Sequence, residues 1–181
     1  MKILSFLLKP FVLIGMGGVV AGLILALGFS KGLAYTNSTE FCISCHEMQS
    51  TVYQEYKETE HFQNHSGVQT QCADCHVPKE FMPKMVRKVM AVNDLYHHLL
   101  GTLDTQEKFE AKRGLLAQRV WNYMEETDSR ECRSCHSWSA MDLEEQGRSA
   151  KRKHLRAQKK GETCIDCHKG VAHELPVDDE I

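Results

Sequence analysis

The most apolar part of the sequence lies near its N-terminus. No charged residue occurs between Lys9 and Lys31, and positions 11–30 are almost all apolar. A helix needs about 20 such residues to cross the hydrocarbon core of a bilayer, so this pattern predicts a transmembrane anchor over residues 11–30. A cleaved signal peptide is the alternative, although its apolar region is usually shorter.

The charges that flank the anchor are asymmetric. Lys2 and Lys9 precede the apolar stretch, whereas only one lysine follows it closely. The positive-inside rule therefore predicts a single-pass protein of the bacterial inner membrane, with residues 1–10 in the cytoplasm and the remainder in the periplasm. Gly18 and Gly22 could pack two anchors into a homodimer, but the general abundance of glycine in membrane helices explains them equally well.

Beyond the anchor, the pattern of apolar and polar residues is helical. The segments are rich in Glu, Lys, Gln, Met, Leu and Ala and lack the alternation of β-branched residues that indicates strands. The predicted helices cover residues 50–62, 83–100, 105–127 and 139–160. We expect a mainly α fold. Its other divisions are a linker (31–39), a periplasmic domain (40–173) and an acidic tail (174–181).

The composition limits the size of the protein core. Aromatic residues make up 8% of the chain, and the mean hydropathy is -0.39 despite the apolar anchor. Something other than side chains must therefore fill much of the interior of the periplasmic domain. The formal net charge of -2 gives no reason to expect a nucleic acid as a partner.

Four copies of the motif C-x-x-C-H account for all eight cysteines. Such a segment can bond one haem through two thioethers while its histidine offers an axial nitrogen. Zinc sites also use paired cysteines but do not need a histidine after each pair, and this spacing suits structural disulfides poorly. We therefore expect four covalently bound haem c groups. Their attachment points are Cys42 and Cys45, Cys72 and Cys75, Cys132 and Cys135, and Cys164 and Cys167.

The motifs form two similar pairs, which suggests a duplicated dihaem unit. The first member of each pair has serine before its second cysteine, and the second member has aspartate. A histidine also recurs nearly in register, because His61 lies eleven residues before the second motif and His154 lies ten before the fourth. We assign the first unit to residues 40–100 and the second to residues 128–173.

The histidines outside the motifs decide what each iron can do. An iron with two strong ligands relays electrons, whereas an iron with an open position can meet a substrate. The repeat nominates His61 and His154 as second axial ligands, and His173, five residues after the last motif, is a third candidate. His97 and His98 lie on a predicted amphipathic helix, where solvent-facing or interfacial histidines are the simpler interpretation.

Two features near the first motif suggest contact with a reductant dissolved in the membrane. Met48 follows the motif by two residues and could ligate iron or merely pack beside it. Residues 79–101 combine a broad apolar surface with basic groups, which suits a membrane interface. A quinol releases protons with its electrons, so its site needs proton-accepting groups, for which Lys88 and Asp94 are the candidates. Solvated charges beside a core helix are the alternative.

Over nearly its whole length, the chain resembles the NapC/NirT family of membrane-anchored tetrahaem quinol dehydrogenases. Besides the anchor, the resemblance is carried by FCISCHEM at 41–48, CADCHVPKEF at 72–81, PKMVRKVMAVNDLYH at 83–97, ECRSCHSW at 131–138 and CIDCHKGVAH at 164–173. The GVAH sequence at the end of the last segment resembles the NapC-like branch. The related branch that assembles with a nitrite reductase uses a lysine ligand on its second haem.

The resemblance implies a role for each candidate residue. Met48 rather than His46 would ligate the first iron, the other side of that iron would be open or occupied by Asp94, and quinol would bind beside it with Lys88. The other three irons would take their ligands from His76, His136, His168, His61, His154 and His173.

The resemblance also implies partners. The electron donor would be menaquinol or ubiquinol in the lipid bilayer, and the acceptor would be a periplasmic reductase, with nitrate reductase the expected one. Two rival functions remain at this point. One is an anchor or electron-donor subunit of a nitrite reductase complex, and the other is a terminal reductase that uses an open first haem.

Overall fold

A computed structural model describes residues 9–177 of the chain. Most of the predicted cytoplasmic segment and the end of the predicted acidic tail lie outside this range. The part of the chain that the structure describes contains helices and no strand, so the prediction of a mainly α fold is confirmed. The helices are α1 (Pro10–Tyr35), α2 (Thr39–Cys42), α3 (His46–Ser50), α4 (Val52–Lys57), α5 (Cys72–His76), α6 (Phe81–Leu99), α7 (Gln106–Glu126), α8 (Arg130–Arg133), α9 (Arg148–Lys160) and α10 (Cys164–Cys167), with a 3₁₀ turn at Trp138–Ala140.

α1 is a 26-residue apolar helix that is long enough to cross a membrane and is not buried against the rest of the protein. Pro10 lies at its start, where the missing N–H of proline costs no helical hydrogen bond. The helix continues through residues 31–35, which the sequence assigned to the linker. It ends at Thr36, whose hydroxyl donates a hydrogen bond to the carbonyl of Gly32 at 3.0 Å.

Two predicted helices are shorter in the structure because side chains compete for backbone groups at their ends. α4 ends at Lys57, and the Thr59 hydroxyl donates to the carbonyl of Tyr56 at 2.8 Å. Between the 3₁₀ turn and α9, the Asp142 carboxylate accepts a hydrogen bond from the backbone N–H of Glu144 at 2.9 Å, which forms a local turn instead of a helix. The predicted helix over 139–160 is therefore helical only from Arg148 onward.

The protein core is small, as the composition indicated. Among the described residues, the buried apolar side chains are Tyr56, Phe109, Met124 and Ile165. They come from α4, α7 and α10, and α7 itself packs against α3 and α10. The long α7 therefore spans the gap between the two pairs of motifs and contacts elements of both units.

The segments that carry the four motifs lie beside one another in chain order. α5, in the second motif, contacts α2, which contains the first cysteine of the first motif. α5 also contacts α8, at the start of the third motif. The third and fourth motifs are joined through Ser129, whose hydroxyl oxygen accepts a hydrogen bond from the backbone N–H of Ile165 at 3.1 Å. The chain therefore places the motifs in a continuous row.

Candidate haem and quinol sites

The residues inside the motifs have matching structural roles in the two units. The Ser44 and Ser134 hydroxyls each donate to the carbonyl three residues earlier at 2.7 Å. The Asp74 and Asp166 carboxylates each accept the backbone N–H that precedes the motif, at 2.8 and 2.7 Å, and complete a capping box. The serine and aspartate of the repeat therefore shape the turn that presents the two cysteines.

All eight cysteines, each within the described residues, lie outside disulfides. Each pair is followed by its motif histidine, so each turn offers two thiols and one imidazole to a single ligand. This donor set fits a haem bound through two thioethers. Between the first two motifs, Cys72 Sγ lies 3.8 Å from the hydroxyl oxygen of Thr39, which begins the short helix that carries Cys42, so these attachment points are close neighbours.

Three pairs of histidine rings are spaced as two ligands of one metal ion would be. Two imidazoles on opposite sides of an ion have ring centroids about 6 Å apart, because each metal–nitrogen bond is about 2 Å long. In each pair, one member belongs to a motif. The pairs are His61 with His136 at 6.2 Å, His76 with His173 at 6.1 Å, and His154 with His168 at 5.9 Å. These residues therefore fit three irons with two histidines each.

Two of these pairs cross between the predicted units. His61 precedes the second motif in sequence but faces His136 of the third motif, and His173 follows the fourth motif but faces His76 of the second. Of these three pairs, only His154 and His168 belong to one unit. The rings of His46 and His98, which both lie in the first unit, have a similar spacing of 5.8 Å. His61 and His154, which occupy similar places in the sequence repeat, thus take part in different kinds of pair.

The pair of His76 and His173 is kept in the form that binds metals. Burial, reinforced by the charges of His173 and Arg87, lowers the pKa of His76 to about 4. Burial also lowers the pKa of His173. Both rings are therefore neutral at physiological pH, and the neutral imidazole is the metal-binding form.

The first motif has a different environment. The His46 side chain is 62% exposed, and its ring centroid lies 5.8 Å from that of His98. Glu47 is buried and hydrogen-bonded to His98 Nδ1 at 2.5 Å. Met48 is partly exposed on the same short helix. The structure thus places both Met48 and His46 at the first attachment point.

Sequence reasoning did not single out Glu47 and regarded His98 as solvent-facing or interfacial. Burial favours the neutral acid, but hydrogen bonds from its own backbone and from His98 outweigh this effect, so the pKa of Glu47 lies below its usual range. Cys45 Sγ, a Glu47 carboxylate oxygen and a His98 ring nitrogen lie within 4.8 Å of one another. The available signal was an acidic residue directly after a haem-binding motif, where burial makes a charge costly.

Lys88 lies at the junction of α6 with the end of α1. Its Nζ donates to the Thr36 carbonyl at 2.7 Å and is 2.9 Å from the Thr36 hydroxyl oxygen. Burial lowers the pKa of Lys88 from its ordinary value of 10.5, and the charges of Lys84 and Arg87 lower it further. The ammonium group is therefore held next to the end of the membrane helix and the first motif.

The structure does not join Lys88 to Asp94, the other predicted member of the quinol site. The Asp94 side chain is 55% exposed and pairs with Arg87 at 3.1 Å. The two residues make separate contacts on α6, which agrees with their separation of about 120° around an ideal helix. The helix itself exposes a large apolar surface. Its exposed apolar residues are Phe81, Met82, Val86, Val89, Met90, Val92, Leu95, Tyr96 and Leu99.

Comparison with known proteins finds cytochromes of the c type. The family described as "NapC/NirT cytochrome c family, N-terminal region" matches residues 7–178. A putative tetraheme cytochrome-c type protein of Allochromatium vinosum is 54% identical over 94% of this chain and 92% of its own length. The cytochrome c-type protein NapC of Escherichia coli K12 is 51% identical, over 88% of this chain and 80% of its own.

The denitrification system component NirT of Stutzerimonas stutzeri is 49% identical over 96% of this chain and 89% of its own length. No solved structure matches the chain. Cysteine pairs that fit haem, together with tetraheme relatives over nearly the full length, show that the chain carries covalently bound haem c. The exposed apolar α1 and these relatives show that it is anchored in a membrane.

Proposed function

Because the chain belongs to the NapC/NirT cytochrome c family, whose members take part in quinol-linked electron transfer, we propose that it is a quinol dehydrogenase. It oxidises menaquinol or ubiquinol at the outer surface of the bacterial inner membrane. It passes the electrons to a periplasmic reductase, for which nitrate reductase is our choice because the segment ending in His173 resembles the NapC-like branch. The observation that carries the proposal is the contact between Lys88 and Thr36.

That contact supports a quinol site at the membrane surface. Thr36 ends α1, and α6 exposes its apolar face beside it. The first motif begins six residues after Thr36, and Cys42 is close enough to Lys88 to influence its pKa. A lipid-soluble reductant that enters between α1 and α6 would therefore meet the Lys88 side chain and the first attachment point together.

The proposed roles of Lys88 and Asp94 are those of proton acceptors. Quinol must lose protons as it is oxidised, and an amine whose pKa is lowered by burial has a larger neutral, proton-accepting fraction than an ordinary lysine at the same pH. Asp94 lies more exposed and bonded to Arg87, so we place it on the path by which protons leave toward water. Met48 is the proposed axial ligand at this end.

The remaining histidines would hold the other cofactors. We propose that His61 with His136, His76 with His173, and His154 with His168 would each hold one haem iron, on the basis of their ring separations. When bound, the four haems would supply one-electron centres along the row of motifs. The residues of the chain fix each attachment point and keep the paired rings facing each other.

The test is stopped-flow reduction of the detergent-solubilised protein by a quinol analogue. Lys88→Met should slow reduction by roughly 10²–10⁴-fold, as expected for loss of a proton-accepting group, while haem content and reduction by dithionite stay unchanged. Lys112→Met, at an exposed position on α7, is the matched control and should stay within a few-fold of the native rate.

Two other results would favour a different function for the protein. Native protein that quinol does not reduce would exclude the dehydrogenase and favour a terminal reductase. Isolation of the protein only in a stoichiometric complex with a nitrite reductase would favour the anchor-subunit function.

A further inference from the structure

A buried charge cluster lies outside the proposed quinol site. Arg113 on α7 is 7% exposed, and its guanidinium donates to both carboxylate oxygens of Glu55, at 2.5 and 3.1 Å. It also donates twice to Glu110, at 2.6 and 2.8 Å. Burial opposes ionisation of Glu55, but hydrogen bonds from Arg113 and from the backbone of Glu174 outweigh it, so the pKa of Glu55 lies below its usual value. The cluster is fully ionised.

The same cluster forms hydrogen bonds with the backbone of the residue next to His173. The Glu55 carboxylate accepts the backbone N–H of Glu174 at 2.9 Å, and Arg113 donates to the Glu174 carbonyl at 3.3 Å. Both backbone groups of Glu174 are thus held by side chains from α4 and α7. The neighbouring His173 ring can reorient little while these bonds remain.

The Glu55 carboxylate also faces the His173 ring itself. Its Oε2 atom lies 3.9 Å from His173 Nδ1, which is a buried nitrogen with no hydrogen-bond partner among the described residues. Histidines that bind metals usually direct their second ring nitrogen toward a carboxylate or carbonyl, which fixes the ring and increases its donor strength. A distance of 3.9 Å is beyond a hydrogen bond, so the interaction at this separation is electrostatic.

We propose that Glu55 and Arg113 are positioning residues that fix His173 opposite His76 and raise its strength as a ligand. The inference rests on the proposed ligand role of His173. A buried ion pair contributes little net stability and often costs some, so its presence in a chain with so small a core calls for such a role.

The residue next to Glu55 supports the other crossing pair in the same way. The Tyr56 hydroxyl donates to the His61 carbonyl at 3.2 Å and is also hydrogen-bonded to Thr70. Thr70 in turn donates to the His61 carbonyl through its backbone N–H at 3.0 Å. The short helix α4 thus supports, through adjacent residues, both histidines that cross between the units.

The experiment compares Glu55→Gln, Glu55→Asp and native full-length protein, each loaded with haem. The readouts are haem per chain, the fraction of high-spin ferric haem and a spectroelectrochemical titration. Glu55→Gln removes the negative charge beside His173, so one midpoint potential should move upward or one haem should gain high-spin character, while the other transitions keep their positions. Glu55→Asp retains the charge and should restore most of the native behaviour.

Asp104→Asn is the matched control, because it disrupts an exposed carboxylate–lysine pair near the start of α7 and should leave every transition unchanged.

His173→Ala tests the ligand role of His173 separately from the positioning role of Glu55. If it produces no high-spin haem, the ligand assignment fails. If it does, but Glu55→Gln keeps native spin and potentials, only the positioning role is overturned. Should Glu55→Gln not accumulate, Arg113→Lys takes its place, because it keeps the positive charge but cannot donate to both Glu55 oxygens and to the Glu174 carbonyl in the same fork geometry. A shifted midpoint potential or added high-spin haem in that variant supports the role, and native spin and potentials overturn it.

Discussion

The Ser129 hydroxyl oxygen accepts a hydrogen bond from the backbone N–H of Ile165 at 3.1 Å and one from the Thr163 hydroxyl at 2.6 Å. Ser129 is completely buried and has a left-handed backbone conformation with φ of 46°. It precedes the third motif by three residues, and its two donors open the fourth. One side chain therefore sets the position of one haem-binding turn relative to the next.

We predict that Ser129→Ala lowers the free energy of unfolding by about 1–3 kcal/mol, because it leaves two buried donors without an acceptor. Ser129→Gly loses the same bonds but relieves the left-handed backbone, so it should be about 1 kcal/mol less destabilising than alanine. Denaturant unfolding followed by Soret circular dichroism measures both. Ser139→Ala, at an exposed position, should stay within about 0.5 kcal/mol of native. Equal stability of native protein and Ser129→Ala would refute the role of the bonds.

The capping aspartates give a second prediction. Asp74→Ala and Asp166→Ala each remove the carboxylate that accepts the first free N–H of a motif helix, so each should cost about 1 kcal/mol of unfolding free energy. The two losses should agree within a few tenths, since the geometry is the same in both units. Unfolding curves of the two variants and of Glu58→Ala, at an exposed position, test this. A loss at only one site would show that the repeat is not equivalent there.

The sequence contains the four motifs and predicts the helical fold well, because both follow from local chemistry and local periodicity. It does not predict the partners of His61 and His173. Spacing along the chain identified both as candidates, but which ring each one faces depends on how α4, α7 and the chain after the fourth motif pack together. That packing is tertiary, and in a chain with a small apolar core it leaves little trace in hydrophobic periodicity.

The burial of charged residues is the other feature that the sequence does not predict. Arg113 lies on a helix rich in charged residues, and nothing local distinguishes it from solvated neighbours such as Lys112. Its burial follows from the approach of Glu55, 58 residues away in the sequence. Likewise, Lys88 was nominated together with Asp94, yet its contact is with Thr36 at the end of the membrane helix. Contacts between residues so far apart in the sequence can be identified only from the three-dimensional structure.

The crossing pair of His61 and His136 gives a third prediction. His61→Ala and His154→Ala should each convert one haem to a high-spin form, because each removes one proposed ligand. Only His61→Ala also removes a link between the two units. It should therefore increase the rate of limited proteolysis between the units, around residues 101–105, by several-fold, whereas His154→Ala should not.

Electron paramagnetic resonance and timed digestion of the same preparations with an endoproteinase that cuts before aspartate, for which Asp104 is the site between the units, distinguish these outcomes. His65→Ala serves as the control for loss of an exposed imidazole on the same loop. Equal protease sensitivity in the His61 and His154 variants would mean that the crossing pair does not hold the units together.

The pH dependence of quinol oxidation follows from the environment of Lys88. Burial lowers its pKa below 10.5, and the charges of Lys84 and Arg87 on the same helix lower it further. A negative charge on the Cys42 thiolate would raise the pKa of Lys88. Cys42 carries no charge once it forms a thioether to haem, so this contribution is lost in the haem-loaded protein. Only the neutral amine accepts a proton. The rate of quinol reduction should therefore rise with pH and level off at a pKa below that of an ordinary lysine.

Lys88→Arg provides the decisive comparison, because a guanidinium keeps the positive charge and the donor to Thr36 but does not deprotonate in proteins. The variant should bind quinol and yet lose the rise in rate between about pH 7 and 10. Stopped-flow rates across this range, at saturating quinol analogue, give the profile for native protein and variant. Quinol itself loses protons more readily at high pH, which affects both proteins equally. At each pH, the rate of the native protein is therefore divided by the rate of Lys88→Arg. A ratio independent of pH would exclude Lys88 as the proton acceptor, whereas a ratio that rises and levels off would assign the titration to its amine.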